Sequence, residues 1–98
     1  MATVNVKIRY CRESYYEKCY EELAIHIKRK HPDVNIIGYH GPRSCFEVQI
    51  NGHLVHSKLR TLAYPDYDDL CDLINDAKTG RVPQRMCKQQ PITPCAIA

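Results

Sequence analysis

Cys11 and Ser14 lie three positions apart, where an alternating apolar stretch gives way to a helical pattern. A thiol at such a junction is close to the first amide N–H groups of the helix and to the positive end of the helix dipole, and both stabilise a thiolate. Cys11 is therefore a candidate redox thiol. Ser14 stands where a second cysteine would complete a Cys-x-x-Cys pair, so these positions cannot close a disulfide, and Ser14 is expected to be the helix N-cap.

A dithiol cycle at Cys11 needs a partner from elsewhere in the chain. The candidates are Cys45, at the start of a later strand, and Cys19, two turns along the helix. Cys19 and Cys71 fall on the apolar faces of their helices, which is more typical of core residues. Cys11 also fits a structural role, because a free cysteine packs well at the end of a buried strand.

The last four residues, Cys95-Ala96-Ile97-Ala98, match the C-a-a-X signal for prenylation of Cys95, and a terminal alanine favours a farnesyl group. Residues 81–98 are polar, basic and interrupted by prolines, which predicts a flexible tail that a prenyltransferase can bind. Cys87 is a candidate palmitoyl site on the same tail. A second lipid matters because a single chain gives only marginal membrane binding.

The net charge of +3 is confined to the C-terminal part of the chain. Residues 1–76 carry ten lysines and arginines against eleven acids, whereas residues 77–98 carry four basic residues and no acid. A nearly neutral domain with a basic tail argues against binding to nucleic acid. It favours contact between the tail and an anionic membrane surface, such as the inner leaflet.

The six cysteines are expected to be reduced thiols, because the first residues show neither the basic nor the apolar part of a secretion signal. The chain has no C-x2-C or H-x3-H pair, so we expect no metal site and no bound cofactor. A run of about 18 apolar residues, as a transmembrane helix requires, is also missing. The expected location of the domain is therefore the cytosol.

Hydrophobic periodicity predicts the element order βαβββα. The first strand alternates apolar and polar residues, which indicates a sheet with one covered face and one wet face, and Asn51-Gly52 predicts a tight hairpin. The expected strands are residues 4–10, 34–37, 45–50 and 53–58, with a loop over residues 38–44 that begins at Gly38 and a connector over residues 59–64. The expected helices are residues 15–30 and a second helix that begins at residue 65 or 66 and ends at residue 79. We therefore predict an α/β two-layer sandwich over residues 1–80, with a four-stranded mixed sheet and two helices on one face, followed by the tail 81–98.

Four motifs occur together in this order: Tyr10-Cys11-x-x-Ser14, Tyr20-x-x-Leu23, the hairpin Phe46-Glu47-Val48-Gln49-Ile50-Asn51-Gly52-x-Leu54-Val55-His56-Ser57-Lys58, and the helix end Ala77-Lys78-Thr79-Gly80. In this combination the chain resembles the selenoprotein W family of thioredoxin-like proteins. The ending Pro94-Cys95-Ala96-Ile97-Ala98 is similar to that of the prenylated branch of the family.

The resemblance implies a thioredoxin-like fold and redox activity linked to glutathione or thioredoxin. For the prenylated branch it also implies anchoring at the inner face of the plasma membrane, signalling partners, and promotion of filopodia and cell migration. Cys11 matches the first redox position of the family, and Ser14 replaces the second. A monothiol cycle stays open, in which Cys11 takes up one glutathione as co-substrate and a second glutathione resolves the mixed disulfide.

Overall fold

The computed structural model describes residues 3–61, 63–81 and 85–90. Within these ranges the elements follow in the order β1 (Asn5–Tyr10), α1 (Ser14–Lys30), β2 (Asn35–His40), β3 (Phe46–Ile50), β4 (His53–Ser57), α2 (Lys58–Thr61) and α3 (Tyr67–Lys78). The strands form one sheet in the order β2-β1-β3-β4. β1 runs parallel to β2 and antiparallel to β3, and β3 runs antiparallel to β4. The predicted four-stranded mixed sheet is confirmed.

The core lies between one face of this sheet and the two long helices. β1 shows the predicted alternation, because Val6, Ile8 and Tyr10 are buried while Asn5 and Lys7 are exposed. The helices contribute the fully buried apolar side chains Leu23, Ile27, Leu70 and Ile74. Both helices therefore cover the same face, and the two-layer arrangement is confirmed.

The structure differs from the sequence prediction around Gly38. β2 continues through His40, because Gly38 and His40 pair with Ile8 and Tyr10 of β1. The ring of Tyr20 occupies the place that a Cβ atom of residue 38 would need. The glycine that suggests a loop in the sequence is therefore a strand residue that leaves room for an aromatic ring.

Two further differences concern helix boundaries. Residues 58–61 form the short helix α2, where the sequence predicts the end of a strand at residue 58 and a connector from residue 59. At the start of α1 the N-cap is Glu13, whose backbone is extended and whose side chain makes no capping bond. The prediction that Ser14 is the N-cap is wrong, because Ser14 is already the first helical residue and the Glu13 carbonyl accepts the amide N–H groups of Tyr16 and Glu17.

Residues 85–90, which we call the strap, are packed on the domain, although the sequence predicts flexible tail there. The Cys87 amide donates to the Val55 carbonyl at 2.7 Å, and the Gln90 amide donates to the Tyr64 carbonyl at 2.8 Å. The Arg85 guanidinium pairs with the Asp69 carboxylate at 2.7 Å. Basic and polar residues of this kind usually predict disorder, but here they form long-range hydrogen bonds and one ion pair with the domain. The rest of the predicted tail beyond residue 90 lies outside the described residues.

Candidate functional site

Cys11 directly follows β1 and lies three residues before the first residue of α1. The strand-to-helix junction predicted for this thiol is therefore present. Cys11 is only 4% exposed, and its amide N–H donates to the Cys45 carbonyl at 3.0 Å. Ser14, the other position of the motif, is exposed to solvent on the first turn of α1. The two motif positions thus have different surroundings.

The ladder between β1 and β3 brings Cys11 and Cys45 together. The paired residues Arg9 and Glu47 lie on the sheet face opposite the helices, and the Arg9 guanidinium binds the Glu47 carboxylate at 2.8 Å. Side chains alternate along a strand, so the next rung on this face is Cys11 opposite Cys45. The bond from the Cys11 amide to the Cys45 carbonyl continues the ladder to that rung.

A turn over residues 42–45 covers the Cys45 thiol. The Cys45 amide donates to the Pro42 carbonyl at 3.2 Å, and Ser44 takes the positive φ of 65° that this turn requires. A Cβ atom on Gly41 would lie 2.8 Å from Cys45 Sγ, so a glycine is needed for this close approach. Cys45 is fully buried as a result, and burial raises the pKa of its thiol against the opposing effect of the Arg9 charge.

Cys19 lies in a different place, among aromatic side chains. It is half-buried beside the Tyr64 hydroxyl, and burial raises the pKa of the Cys19 thiol. The ring of Tyr64 also packs edge-on against Phe46 and accepts the Lys58 ammonium over its face. Cys71 is buried in the core, as its position on the apolar face of α3 predicts, whereas Cys19 lies at the margin of the core.

Cys87, the candidate palmitoyl site, is held inside the strap. It is 7% exposed, and its thiol donates to the carbonyls of Lys88 at 3.2 Å and Asp66 at 3.5 Å. Burial, with the nearby Asp69 carboxylate as the next cause, raises the pKa of Cys87 to about 12. A buried and protonated thiol is a poor nucleophile, so acylation requires the strap to be released first. Cys95, the candidate prenyl site, lies outside the described residues.

Sequence reasoning missed the parts of the site that depend on strand register. The Arg9–Glu47 ion pair and the rung of Cys11 and Cys45 connect residues far apart in the chain. Opposite charges on the two strands could have indicated the ion pair, but only the register between β1 and β3 shows which residues face each other.

In the described ranges no helix combines the length and the apolar character needed to cross a bilayer.

Comparisons with known proteins agree with this architecture. The model of the Rdx family matches residues 5–76. Migration and invasion enhancer 1 from Mus musculus is 34% identical over 94 residues, which is 96% of this chain and 80% of the relative, and the Bos taurus protein gives the same values.

Two solved structures share the fold. A selenoprotein W-related protein from Vibrio cholerae superposes with a TM-score of 0.69 at 17% identity, over 78% of this chain and 98% of that one. A Bordetella parapertussis protein has the same TM-score at 15% identity, over 78% and 99%. The predicted thioredoxin-like fold and the resemblance to the selenoprotein W family are confirmed.

Proposed function

The chain belongs to the Rdx family, and from that premise we propose that it is a redox-responsive regulatory protein tethered to the cytoplasmic leaflet of the plasma membrane. Cys11 is the redox thiol in this proposal, and a prenyl group on Cys95 together with the basic tail forms the tether. The partners are signalling proteins at the membrane, and the outcome is the promotion of cell migration and filopodia.

The similarity to the migration and invasion enhancers carries this proposal, because it extends over 96% of the chain. Cys11 supports the redox part, since it lies between β1 and the start of α1. The C-a-a-X ending supports the tether. Arg81 and Lys88, which are exposed upstream of this ending, supply a second, electrostatic contribution to membrane binding.

Fractionation of eukaryotic cells that express the Cys95→Ser variant tests the tether. We expect the variant to move from the membrane fraction to the soluble fraction. Cys19→Ser is the matched control, because it removes a thiol outside the tail, and it should partition like the wild type. Unchanged membrane partition of Cys95→Ser would overturn the tether.

A second candidate function is that of a glutathione-dependent monothiol oxidoreductase with Cys11 as its nucleophile. The presence of Cys11 at the junction together with an exposed serine at position 14 favours this reading. In such a cycle Cys11 attacks a disulfide, and glutathione resolves the product.

The Cys11→Ser variant separates the two functions. As an enzyme, the protein would lose glutathione-dependent disulfide reduction with this substitution. As a regulator, it would keep most of its effect on migration, which we expect. If Cys11→Ser abolishes the promotion of cell migration while the variant still binds the membrane, the oxidoreductase function is favoured.

A further inference from the structure

Cys11 and Cys45 face each other directly at the open end of the β1–β3 ladder. The last pair of the regular ladder is Tyr10 with Phe46, and the 3.0 Å bond from the Cys11 amide to the Cys45 carbonyl adds one more pair. Directly opposite residues of antiparallel strands have Cα atoms about 4.5 to 5.5 Å apart and side chains on one face. Disulfides span Cα distances of about 4.4 to 6.8 Å. The backbone therefore permits a bond between these two sulfurs.

We propose that Cys45 is the resolving thiol for Cys11, so that oxidation of Cys11 ends in a cross-strand disulfide between β1 and β3. The inference rests on the proposed redox role of Cys11 and names the partner of that thiol. It replaces the missing second cysteine of the motif with one supplied by a neighbouring strand.

The other cysteines of the described ranges have different neighbours. Arg9, Glu47 and Cys11 are the groups that act on the Cys45 thiol, whereas Tyr64 and Tyr15 are prominent among those that act on Cys19. Cys71 lies beside Lys30 and Asp68, and Cys87 lies within the strap. Of the two partners that the sequence leaves open, Cys45 is thus the one that the fold places against Cys11.

Burial assigns different roles to the two thiols. Cys11 keeps 4% of its surface exposed and Cys45 keeps none, so an oxidant as small as hydrogen peroxide reaches Cys11 more readily than Cys45, although neither thiol is open to a bulky acyl donor. Burial also raises the pKa of the Cys45 thiol, and its sulfur has no exposed surface at which an oxidant from solvent could attack it. Cys11 is therefore the thiol that is oxidised first, and Cys45 is the thiol that attacks afterwards.

The oxidant is hydrogen peroxide, and both steps balance. The Cys11 thiolate attacks one peroxide oxygen, the O–O bond breaks, and the departing hydroxide takes a proton to become water, which leaves Cys11 as a sulfenic acid. The Cys45 sulfur then attacks the Cys11 sulfur, the S–O bond breaks, and the hydroxide leaves as water with the Cys45 proton. Two glutathione thiols reduce the disulfide again and become glutathione disulfide, and their protons return to the two cysteines.

The turn over residues 42–45 positions the Cys45 sulfur. Gly41 lets the loop lie close to Cys45 Sγ, and Ser44 holds a positive φ, so this short loop controls the position of the Cys45 sulfur. Formation of the disulfide joins the end of β1, and hence the start of α1, to this loop.

Peptide mapping of the peroxide-treated wild-type chain under non-reducing conditions tests the proposal. Trypsin cuts after Arg9, Arg12, Arg43 and Lys58, so the disulfide links the peptide 10–12 to the peptide 44–58. We expect this linked pair after treatment and its disappearance on addition of glutathione. The measurement uses the unaltered chain, so it does not depend on how a variant folds.

Dimedone, which labels sulfenic acids, distinguishes failure of this inference from failure of the redox role itself. We expect strong labelling of Cys11 in Cys45→Ser and weak labelling in the wild type and in the control Cys19→Ser. Equal labelling of Cys11 in all three chains, without the linked peptides, would overturn the role of Cys45 and keep Cys11 as a redox thiol. No oxidation of Cys11 in any chain would overturn both.

Discussion

The substitution Asp69→Asn should release the strap from the domain. Asp69 is buried on α3, and its carboxylate accepts two N–H groups of Arg85 and the Lys88 amide, each at 2.7 Å. The Arg85 hydrogen bonds are the largest cause that lowers the pKa of Asp69 to about 2. The fold therefore favours the ionised carboxylate over a neutral group at this position.

The size of this preference follows from the pKa. An unfolded aspartate has a pKa of about 3.9, so a folded value of about 2 corresponds to about 2–3 kcal/mol in favour of the ionised form. The Arg85 side chain is 47% exposed, so solvent screens the pair and we expect a loss of about 1–2 kcal/mol for the neutral asparagine. The pKa is depressed, so the contribution is complete above about pH 4 and is lost as the pH falls towards 2.

Release of the strap is measured at Cys87, a strap residue that is buried against the domain. A change of 1–2 kcal/mol corresponds to an increase of about 5 to 30-fold in the open population, and thus in the rate at which Cys87 is alkylated. The rate is read from the tryptic peptide that contains Cys87 at neutral pH. Asp72→Asn is the matched control, because Asp72 is exposed on the same helix. Equal rates for the two variants, or a wild-type rate already like that of a free thiol, would refute the reasoning.

Three further substitutions test the packing of the domain. His56 is buried with Nδ1 unpartnered, and burial lowers its pKa. The free energy of unfolding should therefore be highest above about pH 6.5 and fall below it, because the unfolded chain takes up the proton first. In urea titrations at pH 7.5 and 5, His56→Gln should flatten this dependence. Gly38→Ala should lower the free energy of unfolding by about 1 kcal/mol, because the added methyl group displaces the Tyr20 ring from its stack on Tyr10. A thermal unfolding midpoint equal to that of the wild type would contradict this. Leu23→Ala should cost about 2–5 kcal/mol in the same urea titrations, since Leu23 is fully buried, and a smaller loss would show that the core relaxes around it.

Local patterns predicted the elements of this fold. The alternation in β1, the apolar faces of the helices and the Asn51-Gly52 turn are properties of neighbouring residues, and the structure contains the strand, helices and hairpin that they indicate. Gly38 shows the limit of this reasoning. A glycine is required here because the Tyr20 ring of α1 fills the space of a Cβ atom. The residues next to Gly38 do not show this contact, so the local sequence indicated a loop.

The candidate site could be predicted only in part for the same reason. Cys11 and its junction follow from one short stretch, but the position of Cys45 opposite it depends on the register of two strands that are far apart in the chain. The strap was missed because polar and basic residues normally indicate a solvated tail. Here the buried carboxylate of Asp69 binds Arg85 and the Lys88 amide and thereby holds the strap on the domain.

Intact-mass spectrometry of the protein from eukaryotic cells, before and after oxidation, tests the proposed function most directly. Wild type and Cys11→Ser are compared in the same experiment. We predict the mass of a prenyl group on both chains, and a change of mass on oxidation that the wild type shows and Cys11→Ser lacks. A chain without the prenyl mass, or an oxidation product unaffected by Cys11→Ser, would contradict the account of a tethered protein with a redox thiol at Cys11.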